Sequence, residues 1–335
     1  MAAPTSCFNL TIMPSRLLVL RRLALMAIGL ALPLLPARLA AQTLLYVNNL
    51  GSGALETFNP STGAVVNSGL LSGLTASYQM ALDNSGDLFV TYYNSGVLAK
   101  VNAATGAVIN ASFITGLNQP YGVAVDASGN LYVANTASGT IGEYNALTGA
   151  VINASLISGL SSPYAIALDG AGGLFVVNDG SGVVGKYNAS TGAALNASLV
   201  TGLSSPYWLA VGNGNLYVSS PNGSVGLSAS SVVGLYSATT GAVINASLIT
   251  SIQQPLGLAL DGQGHLFVAG YANGTVGEYD ATTGAAINAS FITGLSTPYA
   301  LAITPVPEPS SLALLAGGIG FVVLAGRRRG RRWAA

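Results

Sequence analysis

A single cysteine, a single histidine and charged side chains at only 7% of 335 residues leave this chain little to do chemistry with. Cys7 lies ahead of the first apolar stretch, where it is no lipoprotein acylation site, and no second cysteine exists to make a disulfide. Arginine is missing altogether between Gln42 and Thr304. The only basic residues there are Lys100 and Lys186, against ten acids (Glu56, Asp83, Asp87, Asp126, Glu143, Asp169, Asp179, Asp261, Glu278 and Asp280), a balance near −8. Such a surface repels phosphate backbones, so a nucleic-acid partner is excluded. There is no Ser-His-Asp set, no Cys/His cluster and no phosphate loop, and no cofactor is expected.

The basic residues that the body lacks sit at the two ends. Arg16, Arg21 and Arg22 precede the apolar stretch Leu23 to Leu35, and Ala40-Ala41 supply small residues before Gln42. That is the layout of a secretory signal peptide over residues 1–41, with cleavage after Ala41 and either Met1 or Met13 as the start. At the other end, Pro307-Glu308-Pro309 leads into an apolar run and then Arg327, Arg328, Arg329, Arg331 and Arg332. Residues 312–326 would make roughly 22 Å of helix. A secure span wants about twenty apolar residues, so this single hydrophobic helix is a marginal anchor, with the arginines held on the cytoplasmic side. The ending resembles the PEP-CTERM sorting signal over residues 305–335. The resemblance implies an exosortase-type membrane protease as partner and transient anchoring in the inner membrane of a Gram-negative-type bacterium. Its destination would be the cell envelope or the exterior, where extracellular polysaccharide is made.

Between the two labels, residues 42–304 form one unit written six times. Thr-Gly pairs recur at Thr62-Gly63, Thr105-Gly106, Thr148-Gly149, Thr191-Gly192, Thr240-Gly241 and Thr283-Gly284, spaced 43, 43, 43, 49 and 43 residues apart. A period of this size signals a propeller or solenoid. The unit from Pro120 to Leu160 divides into strands at Tyr121 to Val125, Leu131 to Asn135, Ile141 to Asn145 and Ala150 to Leu156, separated by Asp/Asn- and Gly-bearing turns. Four short strands per repeat describe a propeller blade. The unit is similar to the NHL and YVTN repeat propellers in its Pro-x-Gly-(apolar)-Ala-Val-Asp and Gly-Asn-Leu-Tyr-Val-Ala-Asn segments. That resemblance implies a fold and leaves the activity open.

Innermost strands begin at Tyr78, Tyr121, Tyr164, Tyr207, Leu256 and Tyr299, and second strands at Leu45, Leu88, Leu131, Leu174, Leu216 and Leu266. Both counts are six, and the chain starts with a second strand and ends with an innermost one. The expected fold is therefore an all-β, six-bladed β-propeller of four-stranded blades, its ring closed by the N- and C-terminal strands.

Most repeated letters read as structure. Asn67, Asn110, Asn153, Asn196, Asn245 and Asn288 share one place in the outermost strands; glycosylation there is weighed against a polar residue blunting an exposed edge, and the edge role is preferred. Lys100, Glu143, Lys186 and Glu278 share a place on the third strand; neighbouring blades are expected to pair Lys100 and Lys186 with Glu143 between them, on a solvated face and at about 0–1 kcal/mol per pair. Asp83, Asp126, Asp169 and Asp261 open separate hairpins, so turn chemistry explains them and no metal site is expected. His265 follows the Asp261-Gly262-Gln263-Gly264 turn and has no evident partner, which counts against the histidine-dependent chemistry of propeller lyases that this repeat also resembles.

One rim looks functional. It gathers Tyr78, Tyr121, Tyr164, Tyr207 and Tyr299 around the channel mouth, with Asn49, Asn94, Asn135, Asn178 and Asp179 nearby and the insertion Ser219 to Ser231 on the same side. Tyrosines and amides suit stacking and hydrogen bonding to sugar, or docking a peptide, although Tyr after Pro also serves as packing between blades. The expected function is a non-catalytic binding or matrix protein for extracellular polysaccharide or a surface protein. The alternatives are a secreted hydrolase or lyase working through rim carboxylates and a purely structural surface-layer protein.

Overall fold

The computed structural model describes residues 43–221 and 231–304. The expected signal peptide with Ala41, the sorting motif Pro307 to Pro309, the 312–326 segment and the arginine cluster lie outside the described residues, as does the middle of the insertion. Among the described residues no helix is long and apolar enough to cross a membrane.

Twenty-four strands make six antiparallel four-stranded sheets. Blade I joins β24 (Pro298–Ile303), β1 (Leu45–Asn49), β2 (Ala54–Phe58) and β3 (Val65–Ser72), so the two ends of the body close the ring within one sheet. Blade II is β4 (Ser77–Leu82), β5 (Asp87–Tyr92), β6 (Val97–Asn102) and β7 (Val108–Ile114). Blade III is β8 (Pro120–Val125), β9 (Asn130–Asn135), β10 (Thr140–Asn145) and β11 (Val151–Ile157). Blade IV is β12 (Pro163–Leu168), β13 (Gly173–Asn178), β14 (Val183–Asn188) and β15 (Ala194–Val200). Blade V is β16 (Trp208–Gly212), β17 (Asn215–Ser220), β18 (Val232–Ser237) and β19 (Val243–Ile249), and blade VI is β20 (Pro255–Leu260), β21 (His265–Gly270), β22 (Thr275–Asp280) and β23 (Ala286–Ile292). The expected six-bladed propeller and its closure are thus present.

Burial follows strand position. Second strands are buried along almost their whole length, β1 and β13 at every residue, because each lies inside a sheet sandwiched by two neighbouring blades. Outermost strands are exposed along most of their length, as in β7 and β11. The Thr-Gly signature has a double cause. Gly106 takes φ +71°, a left-handed turn that Gly adopts without strain, and a Cβ there would collide with the Leu70 carbonyl of the preceding blade. Gly63 likewise abuts Phe291, carrying the contact across the closure from blade VI to blade I.

The lysines depart from the expected inter-blade ion pairs. Lys100 bonds Asp87 of its own blade at 2.8 Å and donates to the Ala146 carbonyl of blade III at 3.0 Å, lying over the Phe89 and Phe113 rings. Lys186 pairs with Asp169 at 3.1 Å and reaches the Ala238 carbonyl of blade V. Each lysine therefore staples neighbouring blades through a carbonyl, with Lys100 buried and Lys186 half-buried where a solvated face was expected. The antiparallel register explains this: Lys100 sits opposite Phe89, two residues from Asp87, which brings the two charges together within one hairpin.

Glu143, left without a lysine, is 7% exposed. Burial, and then the neighbouring Asp126 carboxylate, raise its pKa. An acid whose folded pKa lies above its unfolded one costs stability as pH rises out of the acid range, and the whole deficit is present once pH exceeds the folded value. Glu143→Gln is therefore expected to raise the melting temperature at pH 7 and to lose that advantage at acid pH, where wild type is already protonated. Melting curves across the carboxyl range check this, and an equal effect at all pH values would refute it.

Candidate functional site

The rim at which innermost strands begin and second strands end is built by a repeated device. Ala76, Gln119, Ser162, Ser205, Gln254 and Thr297 all take left-handed φ between 48° and 55° immediately before the innermost strands or their leading residues. Their sharp turn drops the next residues into the channel, and five of the six carbonyls are tied to the ends of the neighbouring strands, as in Thr136 N–H to Gln119 O at 3.2 Å. Tyrosine follows in five blades and leucine, Leu256, in the sixth.

The tyrosines converge far more tightly than a ring around an open mouth. Tyr121, Tyr207 and Tyr299, from alternate blades III, V and I, meet near the axis, with the Tyr299 hydroxyl hydrogen-bonded to both of the others. Tyr78 and Tyr164 stack on the two faces of Tyr121, with centroids 4.7 and 4.6 Å away and planes within 8° and 9° of parallel. Deeper in the channel, Gln79 donates to Ile166 O and accepts from Val123 N–H, and Gly122 lies so close to the Tyr164 carbonyl that a Cβ would not fit. The centre is thus packed.

The candidate residues fall into two sets. Tyr121 (3% exposed) and Tyr299 (4% exposed) are buried and form a plug. Asn135 and Asn178 are buried too, and the Asn135 oxygen accepts from Asn118 N–H at 3.2 Å. Asn49 is spent on Glu56 at 2.8 Å. Tyr78, Tyr164, Tyr207 and Asp179 stay half-buried at the surface. Tyr93 and Tyr271 join them, edge-on to Tyr78 and Tyr299, a pair that sequence reasoning missed because only their place after the second strands marks them. Ser219 and Ser220 end β17 on this rim, and Ser231 Oγ donates to Pro221 O across the neck of the insertion.

The tyrosines of the platform are neutral. Burial, then Asp179, push the Tyr164 hydroxyl up to about 12; burial, then Tyr207, Tyr93 and Tyr271, raise Tyr78. These hydroxyls stay protonated as donors. Burial also raises the Asp179 carboxyl.

The opposite rim holds the remaining chemistry. The Asp83, Asp126, Asp169 and Asp261 carboxylates each cap their own hairpin, Asp126 accepting from Ser128 N–H at 2.9 Å and Asn130 N–H at 2.8 Å. Among the described residues no three His, Cys, Asp or Glu side chains are grouped to hold a metal ion. His265 has the partner that the sequence did not reveal: its Nδ1 lies 2.6 Å from Asp261 Oδ2 and 3.7 Å from Glu278. The three line a cleft of about 240 Å³ with Thr43, Pro60, Ser61 and Gln263, 40% of the imidazole remaining exposed. The partners arise because Asp261 and His265 flank one turn and Glu278 sits across from Phe267.

This is the architecture of a six-bladed repeat propeller. The body superposes on a chain from the crystal structure of a nidogen/laminin complex (TM-score 0.64, 14% identity, 78% of this chain and 98% of the other). It also superposes on a protein of unknown function from Bacteroides caccae (TM-score 0.59, 17% identity, 80% of this chain and 100% of the other). At these identities the likeness is one of fold. No curated protein sequence matches the chain. Residues 305–329 match the PEP-CTERM protein-sorting motif. The chain is therefore a PEP-CTERM-sorted, exported β-propeller, a substrate of exosortase with a transient C-terminal membrane anchor.

Proposed function

We propose that this propeller is a non-catalytic binding protein of the cell envelope whose tyrosine platform takes extracellular polysaccharide. The observation that carries the reading is the stack Tyr78–Tyr121–Tyr164, flanked by Tyr207 and Tyr93, at the blind end of a packed channel. Such a surface offers ring faces and neutral hydroxyl donors, which suits sugar rings of a polymer lying across it. Thr304 ends the body at the other rim, where its N–H meets Leu44 O, so a tether after it leaves the platform facing outward.

Stacking on a flat platform is a shallow interaction with several contacts, each worth about 0.5–1.5 kcal/mol. Tyr78→Ala and Tyr164→Ala are each expected to weaken polysaccharide binding several-fold, and the double variant much more, as read by affinity electrophoresis or calorimetry on residues 42–304. His265→Ala on the opposite rim should change nothing. A surface protein captured through the same tyrosines would replace the polysaccharide as ligand. A second reading, a secreted hydrolase or lyase, is favoured by the Asp261–His265 pair in its cleft. Loss of a polysaccharide-degrading activity in His265→Ala, with the double tyrosine variant unaffected, would replace the binding reading with the enzymatic one.

A further inference from the structure

The outermost strands carry a feature that neither folding nor the tyrosine platform uses. In five of six blades the register slips on both sides of an exposed asparagine that is followed by Ala-Ser: Asn110, Asn153, Asn196, Asn245 and Asn288. Each asparagine folds back so that its Oδ1 accepts the backbone N–H of the serine two residues on, at 2.9, 3.1, 3.1, 3.0 and 3.1 Å respectively. The bond fixes the carboxamide and sets the serine beside it, while Nδ2 and the serine hydroxyl have no hydrogen-bond partner among the described residues. The sixth blade separates cause from habit. Asn67 makes the same turn with Gly69 N–H at 2.9 Å and has no hydroxyl at that place. The asparagine is thus explained by the turn, and the serine is not.

We propose that these five Asn-Ala-Ser turns are N-glycosylation sites, arranged around the circumference of the exported propeller. Attachment of sugar at Asn requires this triplet on an accessible segment of an exported chain. Here the exposed edge strand meets that need, with the oxygen held by the chain and the nitrogen free. The donor class is a polyprenyl-diphosphate-linked glycan acted on by a membrane oligosaccharyltransferase. Nδ2 attacks the anomeric carbon, the C–N bond forms as the C–O bond to the diphosphate breaks, the electron pair leaves with the lipid diphosphate, and the Nδ2 proton passes to a base of the transferase. Sugar on these edges would also block strand pairing between propellers along exposed apolar strands bearing Val108, Ile109, Val151 and Ile152.

Glycopeptide mass spectrometry on the exported protein from its own host tests this. One glycan each is expected on Asn110, Asn153, Asn196, Asn245 and Asn288. Asn67 should be bare, as should Asn273, whose Asn-Gly-Thr triplet lacks the turn, and Asn188, whose Asn-Ala-Ser triplet makes the Ser190 N–H bond at 3.1 Å but is half-buried in a hairpin turn with its Oδ1 shared with Thr191. Ser112→Ala should remove the glycan at Asn110 with no change in melting temperature. Gly69→Ser, at a place where a Cβ meets nothing within 4 Å, should create a sixth site at Asn67. Bare peptides at the five asparagines, sugar on the serine hydroxyls instead, or a glycan at Asn110 that survives Ser112→Ala would each overturn the proposal.

Discussion

Deleting Pro298 to Thr304 is expected to abolish the cooperative unfolding transition of the body. β24 is the innermost strand of blade I and pairs along the whole of β1, Leu45 with Ile303 through Asn49 with Pro298. Without it, β1 changes from a strand buried at all five residues to a bare edge, open to pairing with other chains. The deletion also removes Leu301 from the core of the closing blade and Tyr299 from the axis, where its hydroxyl joins Tyr121 and Tyr207. Calorimetry and size exclusion on residues 42–297 should show a broad, low-temperature transition and self-association. The same sharp transition as residues 42–304 would mean that the ring does not depend on this closure.

Tyr121→Ala should be the most damaging single change on the rim, and its damage should be to stability. Tyr121 is stacked on both faces and 3% exposed, and removing an aromatic ring from such a site costs about 3–5 kcal/mol. At roughly 2–4 °C per kcal/mol for a domain of this size, the melting temperature should fall by on the order of 10 °C. Tyr121→Phe keeps the stack and forfeits the hydroxyl bond to Tyr299, a loss of about 1 kcal/mol. The contrast with Tyr78 and Tyr164 is the informative part: their alanine variants should lose ligand with a smaller thermal penalty. A Tyr121→Ala protein that melts like wild type would show that the five tyrosines are a ring of ligand contacts rather than a plug with a working face.

The two-way split of the tyrosines was not visible in the repeat. All five follow the same local pattern, four of them directly after a proline, and nothing in a 43-residue unit says which will reach the axis. That depends on which rings arrive from alternate blades, and only three can meet in so narrow a space. The charges behaved similarly. Lys100, Glu143, Lys186 and Glu278 are equivalent letters, yet each finds a different local answer: Asp87, burial beside Asp126, Asp169, and the Asp261–His265 pair. Sequence spacing made pairing between blades look natural, whereas antiparallel register put the partners inside one hairpin. The left-handed φ at Gln119, Ser162 and Thr297 gave no warning either, since none is glycine and the conformation is imposed by the turn into the innermost strand.

The sequence by itself determined the number of blades, the strand order with its shared closing blade, and the sorting motif. Each is written in local, repeated signals: strand periodicity, Thr-Gly turns that tolerate no side chain, and a linear tag read as a linear tag. What only the tertiary structure decided is which of those equal residues are buried and which remain in contact with solvent. Burial at the axis of a ring is set by six blades at once, through the convergence of Tyr121, Tyr207 and Tyr299 and the carbonyl contact at Gly122, and no single repeat contains that information.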